Sequence, residues 1–443
     1  VKQATGNSLG EFTLTDITLG GYTLKATATG FEDGVKSVEL TSSASTNNVI
    51  ELIAKKGTIS GKVVDPFNSG LRNANLTLLS NGTIVKQQTG TGTGEFNLTD
   101  VSYGTYQLKG VVTGFDETII NVTLSGPTSI NNLITLQPQS LPSGGLRRAT
   151  VNSFSNTSAN FDLDLFIVDK SGVAVAGLSQ SNFSIPTFTG SSSGTTFSFS
   201  IQGSTMVAAG PTGPYSAELL MDQSGSITST DPNDARIQAS KIFMGALGPG
   251  DNVHLSAFAG SGRLISYEVT SWGNGFTPDG ASYFSVLDQL ATLEGGGTPL
   301  YKATHTMLDY TSKNAPNNNK ALLVFTDGED TDGGRTIDDI AALSGSTGVK
   351  VFTIGLGSGV NRPALGEIAA RCNGSFFVAT DARQLVSMYK SLGNLLNGTA
   401  PLYRVSFRVD TSSPAFPGWF STTLKVSTSV GDVSIPIYVS PGN

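Results

Sequence analysis

The sequence predicts a multidomain chain: tandem all-β sandwiches, then a doubly wound α/β domain inserted in a split β-sandwich. Three observations predict it. Residues 215–397 alternate apolar, strand-like runs with amphipathic helical stretches, the pattern of a mainly parallel sheet with helices on both faces. Residues 1–137 repeat themselves at a constant offset and alternate apolar with polar residues, as half-buried strands do. The flanking stretches 151–214 and 398–443 hold only strand-like runs, too few in either for an ordinary sandwich and together near the usual six or seven.

The repeat is explicit. Gly10-Glu-Phe-Thr-Leu-Thr-Asp16 recurs as Gly94-Glu-Phe-Asn-Leu-Thr-Asp100, Gly20-Gly-Tyr-Thr-Leu-Lys25 as Gly104-Thr-Tyr-Gln-Leu-Lys109, and Thr29-Gly-Phe31 as Thr113-Gly-Phe115. Phe12 and Phe96 set the offset at 84 residues (96 − 12). A period that long fits a complete small domain better than one turn of a solenoid. Residues 57–137 are therefore read as one sandwich and residues 1–56 as an incomplete one, because the counterpart of the stretch from Gly57 onward falls before Val1. An incomplete sandwich leaves an open edge. The expectation is that upstream sequence closes it, with a neighbouring chain as the alternative. The units resemble the carboxypeptidase regulatory-like, transthyretin-like sandwich, whose usual opening stands here as Ile59-Ser-Gly-Lys-Val-Val-Asp65 ahead of the Gly-Glu-Phe and Gly-x-Tyr-x-Leu strands. That resemblance implies a fold and says little about function.

Residues 138–150, which open Pro138-Gln-Ser-Leu-Pro-Ser-Gly-Gly145, read as a linker by composition. Phe161–Val168 alternates, with Phe161, Leu163, Leu165 and Ile167 on one face. Short strands follow to residue 214, and Tyr403–Val409, Thr422–Ser427 and Val433–Val439 are strands again. A doubly wound domain with adjacent termini is easily inserted in a loop of a host. Residues 151–214 and 398–443 are therefore read as the two parts of one split sandwich around 215–397.

Inside 215–397 the expected strands are Tyr215–Met221, Val253–Phe258, Leu264–Val269, Ala321–Phe325, Val349–Ile354 and Ser375–Val378. Gly260-Ser-Gly262 suggests a hairpin. Helices are expected over Pro232–Leu247, Arg362–Arg371 and Ala382–Leu396, and Thr298-Pro299 reads as an N-cap followed by the first residue of another. The layout is Rossmann-like.

Three loops gather oxygen-bearing residues: Asp222-Gln-Ser-Gly-Ser226 and Thr326-Asp327-Gly328, each following an apolar strand, and Gly295-Gly-Gly-Thr298. Ligands of open α/β sheets sit outside the carboxyl ends of the strands, so the loops are expected to converge on a solvent-facing rim. Each stretch alone is explained as an ordinary loop, cap or turn. Together, two carboxylates (Asp222, Asp327) and three hydroxyls (Ser224, Ser226, Thr298) make a site for a hard divalent cation, Mg²⁺ first, with Mn²⁺ or Ca²⁺ as alternatives. Two adjacent acids raise each other's pKa unless a cation is present.

In order and type these five residues resemble the metal-ion-dependent adhesion site of the von Willebrand factor type A family, Asp-x-Ser-x-Ser, then a distant Thr, then an Asp. The resemblance implies that the hydroxyls contact the metal, that the acids hold it largely through water, and that a carboxylate from a partner completes the shell. Setting such a domain into a sandwich also resembles integrin β subunits, in architecture only.

Asp231, Asp234, Glu329, Asp330 and Asp332 lie near these loops and are read as solvated loop charges, with a second calcium site as the alternative. His254 and His305, the only histidines, have no triad or metal-ligand spacing around them and are read as structural. Cys372 is read as a buried small residue. No base or acid accompanies the metal loops, so no enzyme is expected. Net charge is −7 and no Lys/Arg cluster is present, which argues against a nucleic-acid partner. No apolar run approaches the roughly 18 residues of a membrane helix. The expected function is adhesion or ligand binding outside the cell or at its surface, through an acidic group on a protein or other partner. The alternative is a structural subunit of a surface filament or layer, self-associating through the N-terminal sandwich.

Overall fold

The chain divides into two units, Val1–Gln137 and Pro138–Asn443, in a computed structural model that describes residues 1–190, 194–207, 212–259, 268–357, 359–412 and 420–439. In the first unit, β1 (Gly20–Ala26) and β2 (Gly34–Leu40) form an antiparallel pair. Seven strands follow: β3 (Lys56–Val64), β4 (Asn75–Ser80), β5 (Thr83–Thr89), β6 (Glu95–Ser102), β7 (Gly104–Val111), β8 (Thr118–Leu124) and β9 (Thr128–Thr135). They make two sheets, ordered β6-β3-β9 and β5-β4-β7-β8. Ile59 and Val63 from β3, Leu76 and Leu78 from β4, Phe96 and Leu98 from β6 and Leu108 from β7 share one core, as period-two alternation requires.

The repeat carries through to register. Gly20 pairs with Leu40 as Gly104 pairs with Leu124, 84 residues on. Residues 11–18 and 44–51, the counterparts of β6 and β9, form no strand. The reason lies in the second set of strands: β6 and β9 both bond to β3, which lies between them, and no counterpart of β3 pairs with residues 11–18 or 44–51 here. The aromatic positions register the difference. Phe12 is 37% exposed against 3% for Phe96, and Tyr22 38% against 7% for Tyr106.

The second unit is built on one eleven-stranded sheet. Its strands and helices are β10 (Ser143–Phe154), β11 (Ser158–Val168), β12 (Phe183–Ser184), β13 (Phe188–Thr189), β14 (Thr196–Val207), β15 (Tyr215–Asp222), α1 (Ile227–Thr230), α2 (Ala235–Gly245), β16 (Asn252–Ala259), β17 (Glu268–Thr277), α3 (Phe284–Leu290), α4 (Leu300–Asn314), β18 (Asn319–Thr326), α5 (Ile337–Thr347), β19 (Lys350–Leu356), α6 (Arg362–Arg371), β20 (Phe376–Ala379), α7 (Arg383–Leu396), β21 (Leu402–Thr411), β22 (Phe420–Val426) and β23 (Val433–Val439). The sheet runs β13-β14-β21-β11-β10-β20-β19-β18-β15-β16-β17, with a second sheet β12-β22-β23. The stretch from β20 to β16 is parallel, and β17 closes it as an antiparallel edge. Alternate residues of β15 feed opposite faces: Leu219 and Met221 pack with α2 and α7 residues such as Phe243 and Leu392, and Leu220 packs with α4 residues such as Leu308.

Strands from the two flanks interleave. β21 lies between β11 and β14, and β12 pairs with β22. Phe161, Leu163 and Leu165 share a core with Val405, Phe407, Leu424 and Ile435.

Three local expectations change. Residues 143–150 are not linker but the first part of β10, which bonds to β11 on one side and to β20 on the other, through Gly145↔Phe377 and Leu146↔Phe376. A Cβ on Gly145 would lie 2.5 Å from both Phe166 and Phe377. That glycine therefore serves close approach rather than flexibility, and through β10 the host sheet and the α/β sheet are continuous. The helix expected over 232–247 forms over the shorter span of α2, entered from Asp234 in the left-handed region at φ 55°, and the short α1 ahead of it was not expected. The predicted turn at 260–262 and residues 264–267 of the strand expected at 264–269 lie outside the described residues; Glu268 and Val269 open β17, which runs on to Thr277 antiparallel to β16. No helix among the described residues is long and apolar enough to cross a membrane.

Candidate metal centre

The buried run Tyr215–Met221 delivers Asp222 as the last residue of β15, beside Thr326, the last residue of its parallel neighbour β18. Asp222 Oδ1 accepts from the Ser224 N–H at 2.8 Å, and Oδ2 accepts from Thr326 Oγ1 at 2.6 Å. The Ser224 and Ser226 hydroxyls lie 3.2 Å apart, and Ser226 Oγ donates to Asp327 Oδ1 at 2.7 Å. Thr298 is fixed by its N–H, which donates to Thr331 Oγ1 at 2.7 Å, and by its carbonyl, which accepts from the Thr331 N–H at 2.9 Å. A Cβ on Gly328 would lie 3.6 Å from Thr298 Oγ1 and 4.0 Å from Ser226 Oγ, so both hydroxyls flank that glycine. The fold thus brings all five residues together. Thr298 is not the helix cap that its sequence suggests: Pro299 holds the N-cap position of α4, and no side chain bonds there.

The acids do not lie on a solvent rim. Asp222 is fully buried and Asp327 nearly so, whereas Gly225 and Ser226 are exposed, so the site opens on the Ser226 side. Burial pushes Asp222 up to about 6; hydrogen bonds from Thr326 and Ser224 oppose this, and the Asp327 charge adds to it. Asp327 Oδ2 is buried and has no hydrogen-bond partner. A buried carboxylate oxygen left unpaired costs of order 1–3 kcal/mol or more. These features fit a divalent cation: an orphaned anionic oxygen, a second acid destabilised in its charged form, and three hydroxyls, with no nitrogen or sulfur among them. Among the described residues no three acids, histidines or cysteines cluster as a metal cage, so hydroxyls and water have to supply much of the shell.

The neighbouring acids divide. Asp231 and Asp234 are not solvated loop charges but pair with the buried Arg236 at 3.1 and 3.2 Å. Asp330 accepts from the Tyr301 and Gly333 N–H groups, each at 2.9 Å. Glu329 and Asp332 are exposed. His254 is buried, 2.6 Å from Glu218 and stacked on Tyr310. Burial pushes the Cys372 thiol up to about 11, which leaves it inert at neutral pH. Sequence reading missed Arg236, Glu294 and Thr331, which position the loops. The available signal was an Arg two residues after Asp231-Pro-Asn-Asp234.

The model of the von Willebrand factor type A domain matches residues 219–391. That segment is a von Willebrand factor type A domain. Calcium-activated chloride channel regulator 1 of Mus musculus is 23% identical over 216 residues, a match that covers 48% of this chain and 22% of that protein. The chain therefore spans about a fifth of that relative's length. Among solved structures, proximal thread matrix protein 1 from the mussel byssus, with a zinc-occupied adhesion motif, is similar at TM-score 0.34 and 18% identity, over 48% of this chain and 50% of that one. The pilus adhesin SpaC from Lactobacillus rhamnosus GG is similar at TM-score 0.35 and 13% identity, over 67% of this chain and 48% of that one. Likenesses this low carry no argument about function.

The type A site should bind cations in a pH-dependent way. Metal-free Asp222 has its pKa raised from 3.8 to about 6. Its contribution to metal-free stability is fully present below about pH 4 and is lost as pH rises through about 6. A cation needs the ionised form and releases the proton. Mn²⁺ affinity is expected to fall about tenfold per pH unit below 6, while the metal-free protein gains stability on acidification from pH 7 to pH 5 as far as this group is concerned. Calorimetric titration and thermal melts in chelator at the two pH values test this; pH-independent affinity would contradict it.

Proposed function

We propose that this is a non-enzymatic adhesion or ligand-binding protein, acting outside the cell or at its surface, that binds a carboxylate on a protein or other acidic partner. Ser224, Ser226 and Thr298, with Asp222 and Asp327, would hold a divalent cation, Mg²⁺ by preference. The bound ion supplies the Lewis-acidic coordination position at which the partner's carboxylate docks. The unpaired, buried Asp327 Oδ2 amid four further oxygen donors carries this reading. The exposed Ser226 side gives a partner access. His254 and Cys372 are buried in the core.

The test uses Mn²⁺ as ion and glutarate as probe. Water-proton relaxation of the Mn²⁺–protein complex is expected to fall as glutarate displaces metal-bound water. Unchanged relaxation up to high millimolar glutarate, with Mn²⁺ still bound, would reject a carboxylate-accepting site.

One observation favours a second reading, a subunit of a surface filament or layer. Phe12 and Tyr22 stand exposed where Phe96 and Tyr106 are covered. Strand addition at that face from another copy would join chains head to tail. Concentration-dependent polymers that dissociate when Phe12 and Tyr22 are replaced by Ser would support it, and a monomer at all concentrations would not.

A further inference from the structure

We infer that Arg236 is the positioning residue that locks the loop carrying Asp222, Ser224 and Ser226 to the loop carrying Thr298. The inference rests on the metal-site reading above. Arg236 lies in the first turn of α2 and its side chain is completely buried. One arm of the guanidinium donates to Asp231 Oδ2 at 3.1 Å and Asp234 Oδ1 at 3.2 Å. The other donates to Glu294 Oε1 at 2.6 Å, the Leu290 carbonyl at 3.2 Å and Gln223 Oε1 at 3.4 Å.

These partners come from three places. Gln223 sits between Asp222 and Ser224 in the first metal loop. Asp231 and Asp234 lie between α1 and α2. Leu290 ends α3, and Glu294 directly precedes the Gly295-Gly-Gly297 run that leads to Thr298. A run of three glycines has more backbone freedom to lose than any other tripeptide. It holds one shape only if both ends are anchored. Thr298–Thr331 anchors the far end, and Glu294–Arg236 anchors the near one. Between the anchors, the two loops are bonded by the Gly295 N–H to the Gln223 carbonyl at 2.9 Å and by the Gly225 N–H to the Gly296 carbonyl at 3.1 Å.

The chemistry requires Arg. Three carboxylates face one buried cation, and without it they would repel each other in a largely buried site. Lys offers one compact charge and cannot span partners on both arms of a planar fork. Asp231 also caps the start of α2, accepting from the Ala235 and Arg236 N–H groups at 2.8 and 2.9 Å. The network therefore fixes the helix as well as the loops.

The test measures Mn²⁺ affinity by calorimetry, with metal-free melting as the folding control, in the full chain carrying Arg236→Lys, Glu294→Ala or Glu294→Gln. Arg236→Lys and Glu294→Ala are expected to weaken Mn²⁺ binding tenfold or more while the protein stays folded. Glu294→Gln, which keeps an acceptor for the guanidinium, is expected to recover part of the loss. Wild-type affinity in folded Arg236→Lys or Glu294→Ala would overturn the assignment. Should Arg236→Lys not fold, Glu294→Ala decides alone, because Glu294 lies at the partly exposed edge of the network. A wild-type chain that binds no Mn²⁺ would remove the metal reading itself, a separate result from unaltered affinity in the variants.

Discussion

Asp222→Asn is expected to weaken Mn²⁺ binding by more than the roughly 10–100-fold that loss of an outer partner of a metal site costs, and to leave the metal-free protein at least as stable as the wild type. The two halves have one cause. Asp222 is completely buried, and its pKa is raised to about 6. At neutral pH without a cation, its ionised form costs on the order of 3 kcal/mol relative to an unperturbed acid. An amide of the same shape avoids that cost. The Asn carbonyl can accept from the Ser224 N–H, and its NH₂ can donate to Thr326 Oγ1, which accepts from the Gly328 N–H and has a second lone pair. The substitution therefore removes a charge that only the cation makes favourable. Calorimetric titration gives the affinity, and melting in chelator gives the stability. Unchanged affinity would contradict the assignment, and a collapsed melting temperature would show that the charge is structural.

Ending the chain after Ala400 is expected to unfold the paired flanks and to loosen the adjoining edge of the type A domain. The truncation removes β21, which lies between β11 and β14, and both β22 and β23 of the facing sheet. Phe161, Leu163 and Leu165 lose Val405, Phe407, Leu424 and Ile435, a loss comparable with the whole 5–15 kcal/mol by which domains are stable. The damage should extend further. α6 approaches β23 so closely that a Cβ on Gly366 would lie 2.8 Å from Tyr438 Cβ, and β10 bonds directly to β20. Hydrogen exchange should show β10, β11 and β14 losing protection, β20 and α6 losing part of it, and β15, β16 and β18 keeping theirs. Wild-type protection in β11 and β14 would mean that the flanks do not depend on each other. Full protection in β20 would mean that the continuous sheet does not couple the two parts.

That second outcome marks where the sequence stops being informative. The strand–helix alternation of 215–397 could be read because its buried strands are mostly apolar runs, and two of them, β15 and β18, end in the polar residues Asp222 and Thr326. Asp222 and Asp327 were legible for the same reason, since the end of the run fixes which residue emerges at the sheet edge. The continuity through β10 was not legible. Ser143-Gly-Gly145 has the composition of a linker, and nothing local distinguishes a glycine used for flexibility from one that admits Phe166 and Phe377. The network around Arg236 was hidden in another way. Its acids come from stretches up to 58 residues away, and only the tertiary fold brings them to one guanidinium. The solvent-facing rim failed as an expectation because strand-end position says nothing about how deeply Ser224, Ser226 and Thr326 bury the carboxylate beside them. In residues 1–56 the Gly10-Glu-Phe-Thr-Leu-Thr-Asp16 motif promised a strand that does not form. Strand propensity is realised only where a partner strand is present.

The most direct test of the account is diffraction from crystals grown with Mn²⁺, collected to show anomalous density. One strong peak is expected among Ser224, Ser226 and Thr298, on the side that Ser226 opens to solvent, within coordination distance of the two serine hydroxyls, with Asp222 and Asp327 directed toward it. No peak there at millimolar Mn²⁺, or a peak only among Asp231, Asp234 and Glu294, would contradict it.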